Sequence, residues 1–464
     1  PDGRSQSSVS PPSPCFTSAS TKRPPGRVLR VTSAMRGSSS LSPRERRFRG
    51  LLCVAFLLQL GAFLWLYTGG QYQLDAAQSA GARYFSLARY AMLMTLGGYI
   101  VLTLHRGANF RALIRENAAA YAIVALMFVS VAWSAYPWDS IRGATQLLLA
   151  SLIATTVFLE SPTALGLARL RSMAVCFIVL SALFSAAFPH LATIAGGYGD
   201  VYKGALRGIL SDKNPFGNAL SSCMVILVLT VRIGPGSWVR SPYVACILAG
   251  LVMLVLSQSA TSMIAFLIPT MLLVANRTVL AQTPNAGLRL LLVVMATLLA
   301  GFVAFVGPTL LAEMSGSVGR DATLTGRTEI WELTWNAGMQ RPLLGYGYLS
   351  FWQDYIGENG LLARLGMWEI AEAHNGFIEV LLSTGFVGLT LVVVVMLYLL
   401  VRSFTGMILR PSNGNAEAAL LLALNIVLEN FTESVYLAPN YAATTIIAVA
   451  CILAHRRDYS TGPT

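Results

Sequence analysis

Apolar stretches of membrane-spanning length recur along almost the whole chain, and the short loops between most of them carry arginine. A run of about twenty apolar residues can cross a bilayer as a helix, because a helix satisfies its own peptide groups where lipid offers them no partner. About twelve such runs can be drawn, at 50–68, 84–104, 118–135, 141–159, 172–188, 214–231, 242–257, 259–276, 287–306, 374–401, 416–434 and 439–454. The seventh and eighth nearly touch, and their division falls within Ser257–Ser262. The expected fold is therefore all-α, a polytopic membrane protein of about twelve transmembrane helices with a large loop between the ninth and tenth.

Only 12% of the 464 residues are charged and 55% are hydrophobic, against about 25% charged in soluble domains. A large soluble enzyme is excluded. The net charge of +12 is dispersed over loops and helix ends, which encodes topology and gives no nucleic-acid footprint. The expected surroundings are membrane lipid, with no nucleic acid. Five of the six cysteines lie in apolar runs, and none has the spacing of a zinc site or a disulfide framework.

Arginine placement sets the expected orientation. With a cytoplasmic N-terminus, every inside loop and its margins hold at least two arginines, among them Arg106 and Arg111, Arg169 and Arg171, Arg277 and Arg289, and Arg456 and Arg457. The short outside loops at 135–140, 257–260 and 434–439 have no Arg or Lys. Both termini are then cytoplasmic. The expected organisation is a disordered, basic, Ser/Pro-rich tail over 1–48, helices one to nine over 49–306, and an outer loop over 307–373. Helices ten to twelve follow over 374–455, then a cytoplasmic tail over 456–464. Met35, ahead of the basic stretch Arg36 to Arg49, is a candidate natural start. The first apolar run lacks an A-x-A cleavage site and is expected to be a retained helix.

Two outside loops break the charge pattern. Loop 189–213 holds Lys203, Arg207 and Lys213, and loop 307–373 holds Arg320, Arg327, Arg341 and Arg364. Positive charge placed against the topology rule points to anion binding, with plain solvation as the alternative. Within the long loop, Thr328–Met339 reads as a short amphipathic helix ended by Pro342, before a turn at Gly345-Tyr346-Gly347. Trp331 and Trp335, four apart on one face, either anchor the loop at the membrane surface or stack on a sugar.

His374 opens the tenth run, in Glu372-Ala373-His374-Asn375-Gly376. A neutral imidazole can accept a proton from a hydroxyl. Glu379, five residues on, either orients the ring or packs against another helix. Arg89 and Arg142 lie just inside the membrane near the outer face, where they either snorkel or bind ligand. Glu433 is a candidate partner for one of them. Arg207 and Arg327 are expected to face water, so that replacing them costs little stability. No D-x-D, Walker or zincin pattern occurs, so nucleotide sugars and ATP are not implied. A donor that carries its own diphosphate needs neither, because Arg and Lys can hold the leaving group without a metal.

These motifs together resemble the O-antigen ligase family, which includes O-antigen and exopolysaccharide polymerases. Arg207-Gly208-Ile209-Leu210 resembles its R-x-x-L element. Ser211-Asp212-Lys213-Asn214-Pro215-Phe216-Gly217 resembles its H-K-N-x-x-G stretch, with Asp212 where histidine is common. Gly326-Arg327-Thr328-Glu329-Ile330-Trp331 resembles the arginine segment of its periplasmic loop, and His374 with Gly385 its H-x10-G element. Asn430-Phe431-Thr432-Glu433-Ser434 resembles a late-helix motif of the polymerases. The resemblance implies a GT-C-like fold and metal- and cofactor-independent transfer of a glycan from undecaprenyl diphosphate to a hydroxyl. The site would face the periplasm from the bacterial inner membrane, and the acceptor would be lipid A–core or a growing polysaccharide.

His374 is then expected to be the base, with Arg207 and Arg327 as diphosphate ligands. Lys213, Asn214, Asn375, Glu379, Arg89, Arg142 and Lys203 are candidate substrate ligands. The alternative from another class is a transporter or flippase of polysaccharide or lipid-linked glycan, which would place its charges near the midplane.

Overall fold

The computed structural model describes residues 42–60, 109–159, 162–194, 203–230, 242–295, 327–355, 372–436, 438 and 443–456. The chain divides into two compact units, Pro1–Arg47 and Phe48–Thr464. Of the first, only residues 42–47 are described, and 43–47 open helix α1, Pro43–Gln59.

The described residues of the second unit form helices joined by turns and loops, with one isolated bridge between Thr193 and Leu206. After α1 come α2 (Asn109–Glu116), α3 (Ala118–Val129), α4 (Pro137–Phe158) and α5 (Thr163–Ala187). Then follow α6 (Lys213–Thr230), α7 (Pro242–Leu256), α8 (Ala260–Thr278) and α9 (Ala286–Met295). The loop helices are α10 (Arg327–Gln340) and α11 (Phe351–Tyr355), and the chain closes with α12 (Gly376–Leu409), α13 (Gly414–Asn430) and α14 (Ala443–His455).

Four helices among the described residues are long and apolar enough to cross a membrane: Pro137–Phe158, Thr163–Ala187, Ala260–Gln282 and Gly376–Leu409. Other apolar helices are shorter, such as Pro242–Leu256 and Ala443–His455. The expected run at 84–104 lies outside the described residues, as do 296–306 and the loop segments 307–326 and 356–371. The division between the seventh and eighth runs falls where expected. α7 ends at Leu256, Gln258 takes a left-handed φ of 51°, and α8 starts at Ala260. The amphipathic loop helix also forms, one residue longer at each end than expected.

The centre of the bundle is α13, which packs against α12, α14, α8 and α6. Its inward residues Ala418, Leu422 and Ile426 are fully buried. On the outside, Leu248, Val252 and Val255 of α7 and Ile264, Met271 and Val274 of α8 are exposed. Continuous apolar surface of that kind would be costly in water and fits a lipid surround. The fold is that of a multi-pass membrane protein.

The two ends of the bundle differ. At the end where α12 meets α13, arginines cap carbonyls and buried acids. Arg289 donates to the Ile408 carbonyl (2.7 Å), and Arg277 donates to Leu229 and pairs with Glu417 at 3.0 Å. Arg456 pairs with Glu116 at 3.2 Å. Cations suit helix C-termini, where carbonyls lack partners.

At the opposite end the loop after α10 docks into a break in α12. Gly385 has φ 63° and ψ −162°, which is not helical. Tyr346 and Gly347 donate their N–H groups to the Leu382 and Ser383 carbonyls at 2.8 and 3.0 Å. Phe386 and Val387, past the break, donate to Pro342 and Leu343 at 2.7 and 3.2 Å. A Cβ on Gly385 would meet the Leu343 carbonyl, and one on Gly345 would meet the Leu382 carbonyl. The break therefore requires glycine twice over, for its left-handed φ and for close backbone approach. It leaves residues 376–384 as a short, separately held helix.

Candidate active site

His374 stands just before that short helix. Its backbone is left-handed, with φ 47°, a conformation uncommon for a residue with a Cβ. Its neighbours on both sides hold it. Ala373 N–H donates to Glu379 Oε2 (3.1 Å), and Asn375 N–H donates to Ser434 Oγ (3.2 Å). Asn375 caps α12, its Oδ1 accepting from the Phe377 and Ile378 N–H groups. Glu379 Oε1 accepts from Trp352 Nε1 at 2.7 Å, which ties α11 to the same support.

The opposing wall is the turn after α13, built by Asn430. Its Oδ1 accepts from the Val435 and Tyr436 N–H groups at 3.1 and 2.8 Å, and its Nδ2 donates to Ile426 O. That turn aims Glu433 at the histidine. Glu433 Oε2 lies 3.4 Å from His374 Nδ1, while Oε1 pairs with Arg327 at 2.7 Å. Arg327 also donates to the Thr432 carbonyl at 2.6 Å. A second carboxylate, Glu372, lies 3.2 Å from the same Nδ1. The ring is thus held by its Nδ1 side.

The electrostatics follow from this crowding. Partial burial disfavours the imidazolium of His374. The Glu433 hydrogen bond and the charges of Glu372 and Glu433 outweigh both burial and the repulsion of Arg327, and its pKa is held above the ordinary value. Burial, with the carboxylates of Glu433, Glu379 and Asp212 and against the pull of His374, pushes Glu372 up to about 7.

The remaining expected residues divide into those near this cluster and those elsewhere. Lys213 is buried at the start of α6, donates to Asn214 Oδ1 (3.3 Å), and lies within electrostatic reach of Asp212, Glu433 and Arg327. Asp212 accepts from the Asn214 N–H at 3.0 Å, so the position where the family commonly has histidine here caps a helix. Arg207 braces its own loop, donating to the Leu191 and Ser211 carbonyls at 3.1 and 3.3 Å. Arg142 pairs with Asp139 one turn away on α4 (2.9 Å), and Lys203 is exposed in a turn. Arg89 lies outside the described residues.

Two expectations are corrected. Glu433 pairs with Arg327, because the Asn430 turn directs it toward α10, whereas Arg142 pairs with Asp139; Arg89 lies outside the described residues. Arg327 is only 18% exposed and is bound to a buried acid, and so does not simply face water as expected. Glu379 accepts from the Trp352 indole and from the Ala373 backbone N–H, and so braces the segment before His374. Sequence reasoning undervalued Glu433 and Glu372; the available signal was the clustering of acids around the motifs.

Glu372, His374 and Glu433 bring ligand atoms within 4.8 Å of one another, a spacing that a cation could use. Glu433 already faces the guanidinium of Arg327 at 2.7 Å, which supplies positive charge there and repels a metal. That arrangement suits the three to handling protons.

An all-helical membrane protein with a histidine–carboxylate–arginine cluster at one end of its bundle is the class so defined. The family model described as O-Antigen ligase matches residues 244–393, from α7 through the break in α12, and includes Arg327, His374 and Gly385. The exopolysaccharide production protein ExoQ of Rhizobium meliloti (strain 1021) is 26% identical over 338 residues, covering 70% of this chain and 74% of that protein. The chain is thus similar to the O-antigen ligase family over residues 244–393 and to an exopolysaccharide production protein over most of its length.

Proposed function

We propose that the protein is a metal-independent glycosyltransferase that moves a glycan from undecaprenyl diphosphate to an acceptor hydroxyl. It works at the periplasmic face of the bacterial inner membrane, with both termini cytoplasmic, about twelve helices in a GT-C-like arrangement, and loop 307–373 periplasmic. The observation that carries this is the His374 ring, held at Nδ1 by Glu433, which is itself pinned by Arg327. A carboxylate at one ring nitrogen orients the imidazole and stabilises its protonated form, so the other nitrogen can act as a base.

His374 Nε2 takes the acceptor's proton as the oxygen attacks the anomeric carbon and the lipid diphosphate leaves. One direct displacement inverts that carbon. An arginine has five N–H donors, and two of those on Arg327 are engaged by Glu433 and Thr432. The others, with Lys213 and Arg207, hold the diphosphate as its charge grows. Asn214, Lys203 and Arg142 belong to the surrounding polar surface, and Asn375 and Glu379 position the base.

The relative from Rhizobium meliloti is an exopolysaccharide production protein, which favours a polymerase over a ligase here. The test is transfer by purified protein in nanodiscs, with undecaprenyl-diphosphate glycan as donor and chelator present. A second lipid-linked repeat unit should accept the glycan, and lipid A–core should not. Transfer to lipid A–core alone would make the protein a ligase, and loss of activity in chelator would end the metal-independent account.

A further inference from the structure

Two carboxylates face one ring nitrogen, and their surroundings differ. Glu433 is 1% exposed, 3.4 Å from His374 Nδ1, and bound to Arg327 through its other oxygen. Glu372 is 30% exposed and 3.2 Å from the same nitrogen, and among the described residues His374 is its ion-pair partner. A carboxylate bonded to a guanidinium is a poor proton acceptor, whereas one crowded by other acids is a better one. The groups that face this pair are Glu433, Arg327 on α10, Glu379 on α12, and Asp212 before α6. Three of these four are acids, and Arg327 is tied to Glu433; Lys213 lies beyond them, within reach of Asp212, Glu433 and Arg327.

We infer that Glu372 is the proton relay of the site, taking the Nδ1 proton while Nε2 takes the acceptor's proton, and that Glu433 orients the ring and favours its charged form without taking its proton. This rests on the assignment of His374 as the base. In the step, the acceptor O–H bond breaks and Nε2–H forms, while Nδ1–H breaks and an O–H bond forms on Glu372. The acceptor oxygen bonds to the anomeric carbon, and the carbon–oxygen bond to the diphosphate breaks, with the electron pair leaving on the diphosphate. Glu372 then gives its proton to water, which its partial exposure allows, and His374 loses its Nε2 proton to solvent and regains one at Nδ1 before the next turnover. The upward-shifted pKa of Glu372, about 7, suits a group that must both take and release a proton near neutrality.

Glu372 acts through His374, so the test must separate a relay from a brace. Full-length protein in nanodiscs is assayed across pH with undecaprenyl-diphosphate glycan, as wild type, Glu372→Gln, Glu372→Asp, Glu372→Ala and Glu433→Ala. Glu372→Gln should lower kcat roughly 10- to 100-fold, toward the lower end of proton-transfer effects, with donor KM little changed. Glu372→Asp should keep most of the turnover. Added formate should revive Glu372→Ala, because a small carboxylate can enter that partly exposed position. It should not revive Glu433→Ala, whose position is closed to solvent.

A wild-type kcat for Glu372→Gln at every pH, or no effect of formate on Glu372→Ala, overturns the relay. His374→Ala is run beside them. If it is inactive while Glu372→Gln is unimpaired, the relay alone has failed; if it transfers at the wild-type rate, the base assignment has failed.

Discussion

At the scale of single residues, the Arg327–Glu433–His374 chain couples stability to chemistry. Removing Arg327 leaves a nearly inaccessible carboxylate without its cation, which costs roughly 3–5 kcal/mol in buried pairs. Arg327→Ala should therefore lower the unfolding temperature in detergent, and adding Glu433→Gln should recover much of the loss without recovering transfer. If Arg327→Ala melts like wild type, the pair contributes nothing to the fold. The pH profile has a defined sign. Transfer needs neutral His374, and its pKa is held above the ordinary value, so the rate should rise with pH through that raised pKa. Glu433→Gln removes the hydrogen bond and a negative charge, which lowers the His374 pKa and should move the acid limb to lower pH. An unmoved limb would mean that Glu433 does not act on the ring. His374, Arg327 and Lys213 were legible in the sequence because their residue types stand out in apolar surroundings. The Glu433–Arg327 pair was not, since nothing local couples positions so far apart in the chain.

Among the elements, α12 shows most clearly what a sequence withholds. Its apolar run predicts one long helix from about residue 374. The helix does extend from Gly376 to Leu409, but its backbone breaks at Gly385. The spacing between His374 and Gly385 could be seen as a motif, yet its reason lies in the docked turn around Gly345, whose backbone enters the break. Gly385→Ala should strain the backbone by about 1–3 kcal/mol and displace Leu343. Transfer should fall at least tenfold while some folded protein remains. Wild-type turnover for Gly385→Ala would detach the break from catalysis. By contrast, α10 was readable almost to its ends, because Pro342 and the spacing of its apolar residues are local signals. The late-helix motif lay between these cases. Asn430 could be noticed, but its part in folding the turn that presents Glu433 depends on contacts beyond the helix.

For the whole molecule, apolar periodicity and arginine placement gave the helical membrane class, and the arginine-rich end of the bundle lies opposite His374. A reporter fused after Gln340 should report the periplasm, and one fused after Arg456 the cytoplasm; the same side for both would undo the topology. Counting spans from sequence was less secure, because polar side chains interrupt inner helices such as α6 and α13, whose Asn425 and Ser222 bond to each other inside the bundle. The central claim is that His374 performs the proton transfer of glycan transfer while other residues hold the donor. It is tested most directly by measuring, in one nanodisc preparation, single-turnover transfer and donor binding for wild type and His374→Ala. The account predicts a rate lower by about 100- to 10,000-fold with donor Kd within a few-fold of wild type. A wild-type rate for His374→Ala, or a loss that follows weakened donor binding alone, would contradict it.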